Sequence, residues 1–354
     1  MIESISERAR QFHRDHAVCD MLGLNLTHPR FVVDDIDLGQ RQDSCRGDFV
    51  KFAEWDLRVV MCKGGVAQYD SNFVYFWKDD PTQRPGRPGA EDMFLSLAIK
   101  NSTQLVLGVL DRFLINVEEN PDKVLLVQRR NDLETAHRQG KIAVLMGANR
   151  SDWFGDGPGV LRMFARLGLR MITIGQSGRE MGYDASDEIR SGGKLTALGV
   201  RMIEEMNRNG MLIDLAHTND VCALDIIEIS QYPVVDSHSN PRSLEDGLRS
   251  TPDEVMKALA ASGGILGLCP PISRLEGDAP LTRVSEEDID KALTHIRYAV
   301  DVMGIDAVGI GTHFNTTCLP WLTDAVLGAG FSDGDAAKIL GGNYLRVLNQ
   351  VLPE

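Results

Sequence analysis

The sequence predicts a single (β/α)8 barrel. Three observations carry that expectation: eight short apolar runs, amphipathic helical segments between most of them, and no composition break along 354 residues. The runs are 17–23 (AVCDMLG), 57–62 (LRVVMC), 142–149 (IAVLMGAN), 171–176 (MITIGQ), 212–217 (LIDLAH), 233–238 (PVVDSH), 264–269 (GILGLC) and 307–313 (AVGIGTH). A doubly wound open sheet is the alternative, but no glycine-rich dinucleotide loop follows any run.

Taken in order, 4–16 is an amphipathic helix and the first strand follows it. Residues 30–56 are polar and irregular, and Lys63-Gly64-Gly65 turns sharply after the second strand. Residues 70–91 are rich in aromatics, Pro and Gly, which suggests a lid or an interface. These two stretches set the expected loop insertions, near 25–56 and 70–94, in one domain spanning 1–354. Helices are expected over 96–118 and 122–139. Beyond them strand and helix alternate, with helices over 159–167, 194–209, 219–230, 252–261 and 285–303 and further helices within 333–351. The segment 211–242 is the clearest unit: strand, helix and strand, with a histidine closing each strand.

Charge and cysteine usage narrow the function. With 37 basic and 51 acidic residues the net charge is −14, which disfavours nucleic acid and anionic membrane as partners. No apolar run approaches the roughly 18 residues that span a bilayer. The first residues carry no signal-type apolar core, and the last ones form no hydrophobic anchor tail. Six scattered cysteines without a CxxC pair fit free thiols, hence a cytoplasmic location. A small-molecule substrate is the expected partner.

In a barrel the ligand site lies at the C-terminal ends of the strands. The chain places Asp20, Cys62, Asn149, Gln176, His217, His238, Cys269 and His313 there. The roles of Asp20 and Cys62 stay open. His217, His238 and His313 make a plausible set for one zinc or similar divalent ion with an open position for water. A metal-free polar pocket is the competing reading. His13, His16, His28, His137 and His295 fall in helices, the N-terminal segment or a loop, and read as packing or surface residues. Asp236 lies two residues before His238 and is expected on the same strand face, as a ligand-supporting group, a shifted general base or a structural hydrogen-bond acceptor. Asp214 has the opposite parity to His217 and is expected to face the helices.

The segments KIAVLMGAN, LGLRMITIGQS, GVRMIEEMNRNGMLIDLAHTND, YPVVDSHSNPRS, LRSTPDEVM and AVGIGTHFN occur in an order and spacing that resemble the membrane (renal) dipeptidase family, the M19 metallopeptidases. The turn 64–68 and the C-terminal GGNYLRVL fit as well, so the resemblance covers nearly the whole chain. It implies a (β/α)8 barrel with two zinc ions, often a homodimer, hydrolysing dipeptides.

The same resemblance shows where this chain departs. Leu22 and Leu24 stand where the family's first metal takes a His-x-Asp pair, and Asn149 stands at the bridging glutamate. Gln176 replaces a substrate-contacting histidine, His313 the aspartate that handles the proton of the attacking water, and Asn315 the acid that follows. His217 and His238 are kept as ligands of the second metal, and Arg249 as the arginine for the substrate carboxylate.

The resulting expectation is a dipeptidase-like hydrolase of a small amide, with at most one ion on His217, His238 and His313. Arg249 and Gln176 would bind substrate, with His313, Asp236, Gln176 and Asn149 as the catalytic candidates. A metal-independent lyase or isomerase, and an inactive homologue, are the alternatives.

Overall fold

Alternating side chains along the strands divide the apolar residues into two cores. The computed structural model describes residues 4–26, 36–43, 45–65, 102–149, 157–176, 178–188, 190, 192–271 and 283–354. In chain order the strands are β1 (Val18–Asn25), β2 (Leu57–Gly65), β3 (Val124–Leu126), β4 (Ile142–Asn149), β5 (Leu169–Thr173), β6 (Leu212–Asp214), β7 (Val235–Ser239), β8 (Ile265–Leu268) and β9 (Val308–Ile310). The inner core takes Met21, Val59, Met61, Ala143, Leu145, Met171, Leu212, Val235 and Ile265. Their neighbours in sequence, such as Val60, Val144, Ile172, Ile213, Val234 and Leu266, belong to the outer core beneath the helices. Burying strands on both faces requires such continuous apolar runs.

The neighbours run β1-β2-β4-β5-β6-β7-β8-β9, all parallel, which is the expected eight-stranded barrel. Among the described residues, β1 and β9 are joined by side chains and loops rather than by a ladder. Asp20 accepts hydrogen bonds from the Thr312 amide (3.0 Å) and hydroxyl (2.6 Å), and the Phe314 amide donates to the Leu22 carbonyl at 2.8 Å. Closing that seam is therefore the role of Asp20.

The helices are α1 (Glu7–Asp15), α2 (Phe49–Glu54), α3 (Ser102–Glu119), α4 (Arg130–Arg138), α5 (Pro158–Arg166), α6 (Ala197–Arg208), α7 (Asp220–Ile229), α8 (Asp253–Ala261), α9 (Glu286–Met303), α10 (Leu319–Gly328), α11 (Asp333–Ala337) and α12 (Asn343–Val351). Capping fixes where several of them begin. Asn219 receives the Cys222 amide at 2.8 Å and so starts α7 directly after the His217 strand. Tyr344, Val347, Leu348 and Val351 of α12, with Leu352, join the inner core and plug the base of the barrel.

Two local expectations change. Residues 122–139 are not one helix: Val124-Leu125-Leu126 pairs with Ile142-Ala143-Val144 as β3, and only then does α4 begin. The irregular stretch 30–56 contains α2, whose start Asp48 caps. The expected insertion at 70–94 lies outside the described residues.

Candidate active site

The C-terminal ends of the strands surround a cavity of about 400 Å³. Its walls are Leu22 from β1, Lys63 from β2, Asn149 from β4, Gln176 beyond β5, His217 beyond β6, His238 from β7, and His313 and Phe314 beyond β9. The loops add Ser186, Asp187, Leu248 and Arg249. Asn149, Gln176, His217, His238, His313 and Arg249, all singled out from the sequence, thus line one space. The volume suits a small ligand.

The backbone is forced to deliver the histidines. His217, His313 and Phe314 adopt left-handed conformations, with φ of 65°, 52° and 70°. Such geometry costs on the order of 1–3 kcal/mol at each residue and persists only where the surroundings impose it. At His217 the surroundings are tight. Its carbonyl accepts from the Ser186 amide at 2.6 Å, and a Cβ on Gly175 would sit 2.5 Å from that same oxygen.

The hydrogen-bond network assigns the imidazole protons. Asp214 takes four donors: the Ala216 amide (3.1 Å), the Ser237 amide (2.8 Å), the Ser237 hydroxyl (2.6 Å) and the Thr173 hydroxyl. Ser237 has spent its proton on Asp214, so at 2.7 Å it accepts from Nδ1–H of His238. His238 Nε2 therefore carries a lone pair. Arg249 Nη2 donates to His217 Nε2 at 3.0 Å, so that nitrogen carries one too. The two Nε2 atoms face each other at 3.1 Å with no proton between them. Both rings are held well below the ordinary imidazole pKa, by burial first and then by the charges of Arg249 and Lys63. They are neutral at physiological pH and wait for a proton donor.

Two expectations are corrected by this geometry, and one aligned pair is split. Asp214 faces the barrel interior, not the helices. The chain stops being extended after β6, and the left-handed turn at His217 breaks the parity count from Asp214. Asp236 faces the other way. The β7–β8 register shifts between Asp236 and Ser239, and the Asp236 carboxylate accepts from Ser239 Oγ and Thr251 Oγ1, each at 2.6 Å. It is absent from the cavity wall, and burial raises it to about 6. Of the roles considered for it, this geometry is that of a structural hydrogen-bond acceptor that holds the loop beyond β7. Leu24 joins the outer core across an irregular stretch of β1, so of the two leucines only Leu22 lines the cavity.

Sequence reasoning missed Lys63, which it took as part of a turn. The residue is only 3% exposed and reaches the cavity floor. Its Nζ donates to Thr173 Oγ1 at 2.6 Å and lies 3.6 Å from Asp214 Oδ2. Burial lowers it to about 8, with Arg249 adding to the effect and Asp214 opposing it. A lysine ending an apolar strand was the available signal. Ser237 and Thr173 were missed too, for they act through Asp214.

A profile of the membrane dipeptidase family (peptidase family M19) matches residues 51–352. The chain belongs to that family. Curated relatives include dipeptidase verJ of Clonostachys rogersoniana, 29% identical over 276 residues, which are 74% of this chain and 69% of that protein. Dipeptidase 3 of Mus musculus is 31% identical over 231 residues, 60% of this chain and 45% of that protein. The match to dipeptidase tcpJ of Claviceps purpurea spans 56% of that protein, so this chain covers only part of several relatives. Among solved structures, the probable dipeptidase PvdM from Pseudomonas aeruginosa superposes with a TM-score of 0.77 at 21% identity, covering 98% of both chains. Dipeptidase AC, a metallopeptidase of family M19, gives 0.75 at 20% identity, covering 96% of this chain and 99% of that one. These two likenesses support the barrel fold.

Membership in a family with metallopeptidases carries the expectation of a divalent metal, and the donor set tests it. The 3.1 Å separation of the two imidazole nitrogens alone suits two ligands of one ion. The rest of the site does not. Among the described residues no group of three or more His, Cys, Asp or Glu side chains is placed to hold an ion, so His313 does not complete a set with His217 and His238. Leu22 offers hydrocarbon, Arg249 already donates to His217, and Lys63 and Arg249 place positive charge where a cation would bind. Among the described lining residues the one carboxylate is Asp187, which is exposed and accepts from the Gly178 amide at 2.7 Å. The residues present do not fit a resident catalytic ion.

Proposed function

We propose that this chain is a dipeptidase-like hydrolase of small, carboxylate-bearing amides, working through its own cations and imidazoles. One observation carries the reading: two neutral imidazole lone pairs converge in a cavity whose rim holds Arg249 and whose floor holds Lys63. The family supports hydrolysis, and the charge pattern supports an anionic substrate.

Arg249, exposed at the rim, suits the substrate carboxylate. Gln176 Oε1 is buried and has no hydrogen-bond partner among the described residues, which suits a substrate N–H. A water that donates to His238 Nε2 is polarised by the Asp214–Ser237–His238 chain, which fixes the accepting tautomer. The imidazole takes the water proton as hydroxide attacks the amide carbon. It returns that proton to the departing amine as the C–N bond breaks. Asn149 and His313 stand beside this centre as orienting groups. Any divalent ion would be limited to one, held by His217 and His238, and no step here uses it.

We also infer one barrel domain over 1–354, with insertions near 25–56 and 70–94, a cytoplasmic location and a homodimer. The first follows the continuous strand order. The second follows six cysteines, none of which is in a disulfide. The third follows the family resemblance. No described helix is long and apolar enough to cross a membrane.

Steady-state assay of small dipeptides and N-acyl amino acids tests the reading. The wild type should turn over carboxylate-bearing members, and Arg249→Met should raise KM at least about tenfold with kcat largely kept. Equal rates on carboxylates and their neutral amides would contradict it.

A further inference from the structure

A buried ammonium normally uses its three N–H donors. Lys63 uses one. Its close hydrogen bond goes to Thr173 Oγ1 at 2.6 Å, and Asp214 Oδ2 is an ion-pair partner at the longer distance of 3.6 Å, a contact that raises the lysine's pKa but is too long for a short hydrogen bond. Nor does Asp214 need the lysine, since four other donors already fill its oxygens. The ion pair is therefore not a closed structural unit. The amine is held at its position by Thr173, attracted by Asp214 at longer range, and among the described residues left with two donors in no short hydrogen bond, at the floor of a cavity. That floor is shared with His238, the imidazole whose Nε2 lone pair faces His217 Nε2 at 3.1 Å.

We propose that Lys63 is the oxyanion-binding group of this site: its two unspent N–H donors receive the oxygen that becomes negative when water attacks the substrate carbonyl. The inference rests on the hydrolase reading above and names the residue that carries the developing charge. In the step, the C=O π electrons move onto oxygen beside Lys63 while the C–O bond to hydroxide forms. They return when the C–N bond breaks, and Lys63 gains and loses no proton. Arg249 at the rim holds the carboxylate throughout, so the two cations act on different stages. A donor aimed at charge that exists only in the transition state is worth on the order of 100-fold or more in kcat. Lys63 lowered to about 8 is still mostly protonated at pH 7, as this role requires.

The test compares a planar ligand with a tetrahedral one on the full-length protein. L-Ala-D-Ala is assayed for kcat and KM, and a phosphinate mimic of the same dipeptide is titrated by calorimetry. Lys63→Met should lose on the order of 100-fold in phosphinate affinity and in kcat, with KM near the wild-type value. Arg249→Met should weaken both ligands alike. Lys63→Arg keeps the charge and should recover part of the phosphinate affinity, which guards against misreading a folding defect in Lys63→Met. Unchanged phosphinate affinity in Lys63→Met, with the dipeptide still hydrolysed, would overturn the role of Lys63 and leave the hydrolase standing. A wild type that takes neither ligand would overturn both readings.

Discussion

Two lysines are buried among the described residues, and they solve the same problem in opposite ways. Lys51, in α2, is 2% exposed and spends all three donors: on the Gln42 carbonyl (2.5 Å), the Cys45 carbonyl (2.7 Å) and Asp48 Oδ2 (2.5 Å). Lys63, at the barrel floor, spends one on a described partner at close range. Asp48 accepts from its lysine directly, whereas Asp214 is saturated without one. A satisfied buried charge fastens a loop, and an unsatisfied one beside a cavity is available to a ligand. Burial alone does not separate structure from function. The count of spent donors does.

Replacing each lysine by methionine should split stability from activity. Lys63→Met is expected to lower kcat on the order of 100-fold while its thermal midpoint stays at or above that of the wild type. Lys51→Met strands the Asp48 carboxylate and two carbonyls, and should cost about 3–5 kcal/mol by denaturant unfolding with the site chemistry intact. A Lys63→Met protein as unstable as Lys51→Met would erase the distinction.

The second contrast is in pH. Lys63 binds its proton less tightly folded than unfolded, so the unfolded chain holds more protons between about pH 8 and 10.5. Its contribution is unfavourable below pH 8, and the unfavourable part fades as pH rises through that window. The stability of the wild type minus that of Lys63→Met should therefore increase by roughly 2–3 kcal/mol from pH 8 to 10.5. A flat difference would show that Lys63 titrates as in water.

Buried carboxyls give the opposite trend at lower pH. Burial raises both Asp20 and Asp236 to about 6, and in Asp236 it does so against hydrogen bonds from Ser239 and Thr251. The folded chain then holds more protons than the unfolded chain between about pH 4 and 6, so stability falls as pH rises through that window. In Asp236→Asn the fall should be smaller than in the wild type, by up to about 3 kcal/mol. An unchanged slope would mean that Asp236 is ionised throughout.

Much of this arrangement was legible in the sequence, and the rest was hidden for identifiable reasons. The apolar runs gave the strands, because a parallel strand buried on both faces has to be apolar along its length. Of the residues closing those runs, Asn149, Gln176, His217, His238 and His313 line the cavity, whereas Asp20, Cys62 and Cys269 do not. Parity then failed at Asp214 and Asp236, since counting by twos needs an unbroken strand. The left-handed turn at His217 and the register shift in β7 break it. Leu24 parts from Leu22 across an irregular stretch in β1. Strand β3 was hidden by its length, three residues that merge with the helix beyond. Lys63 was hidden by chemistry, because a lysine beside two glycines reads as a solvated turn until its surroundings show that almost no solvent reaches it.

The smallest effect concerns the rim. Asp187 is exposed and touches only the mouth of the cavity, so Asp187→Asn should change KM for an anionic substrate by no more than about threefold, in the favourable direction. A large loss of kcat in that variant would move the chemistry from floor to rim.

The central claim is that the site works through Lys63, Arg249 and neutral imidazoles, without a resident ion. Elemental analysis of the purified protein, paired with dipeptide turnover before and after exhaustive chelation, tests it most directly. The account predicts clearly less than one equivalent of divalent metal per chain and turnover that survives the chelator. One or two equivalents, with activity lost on their removal and restored by their return, would contradict it.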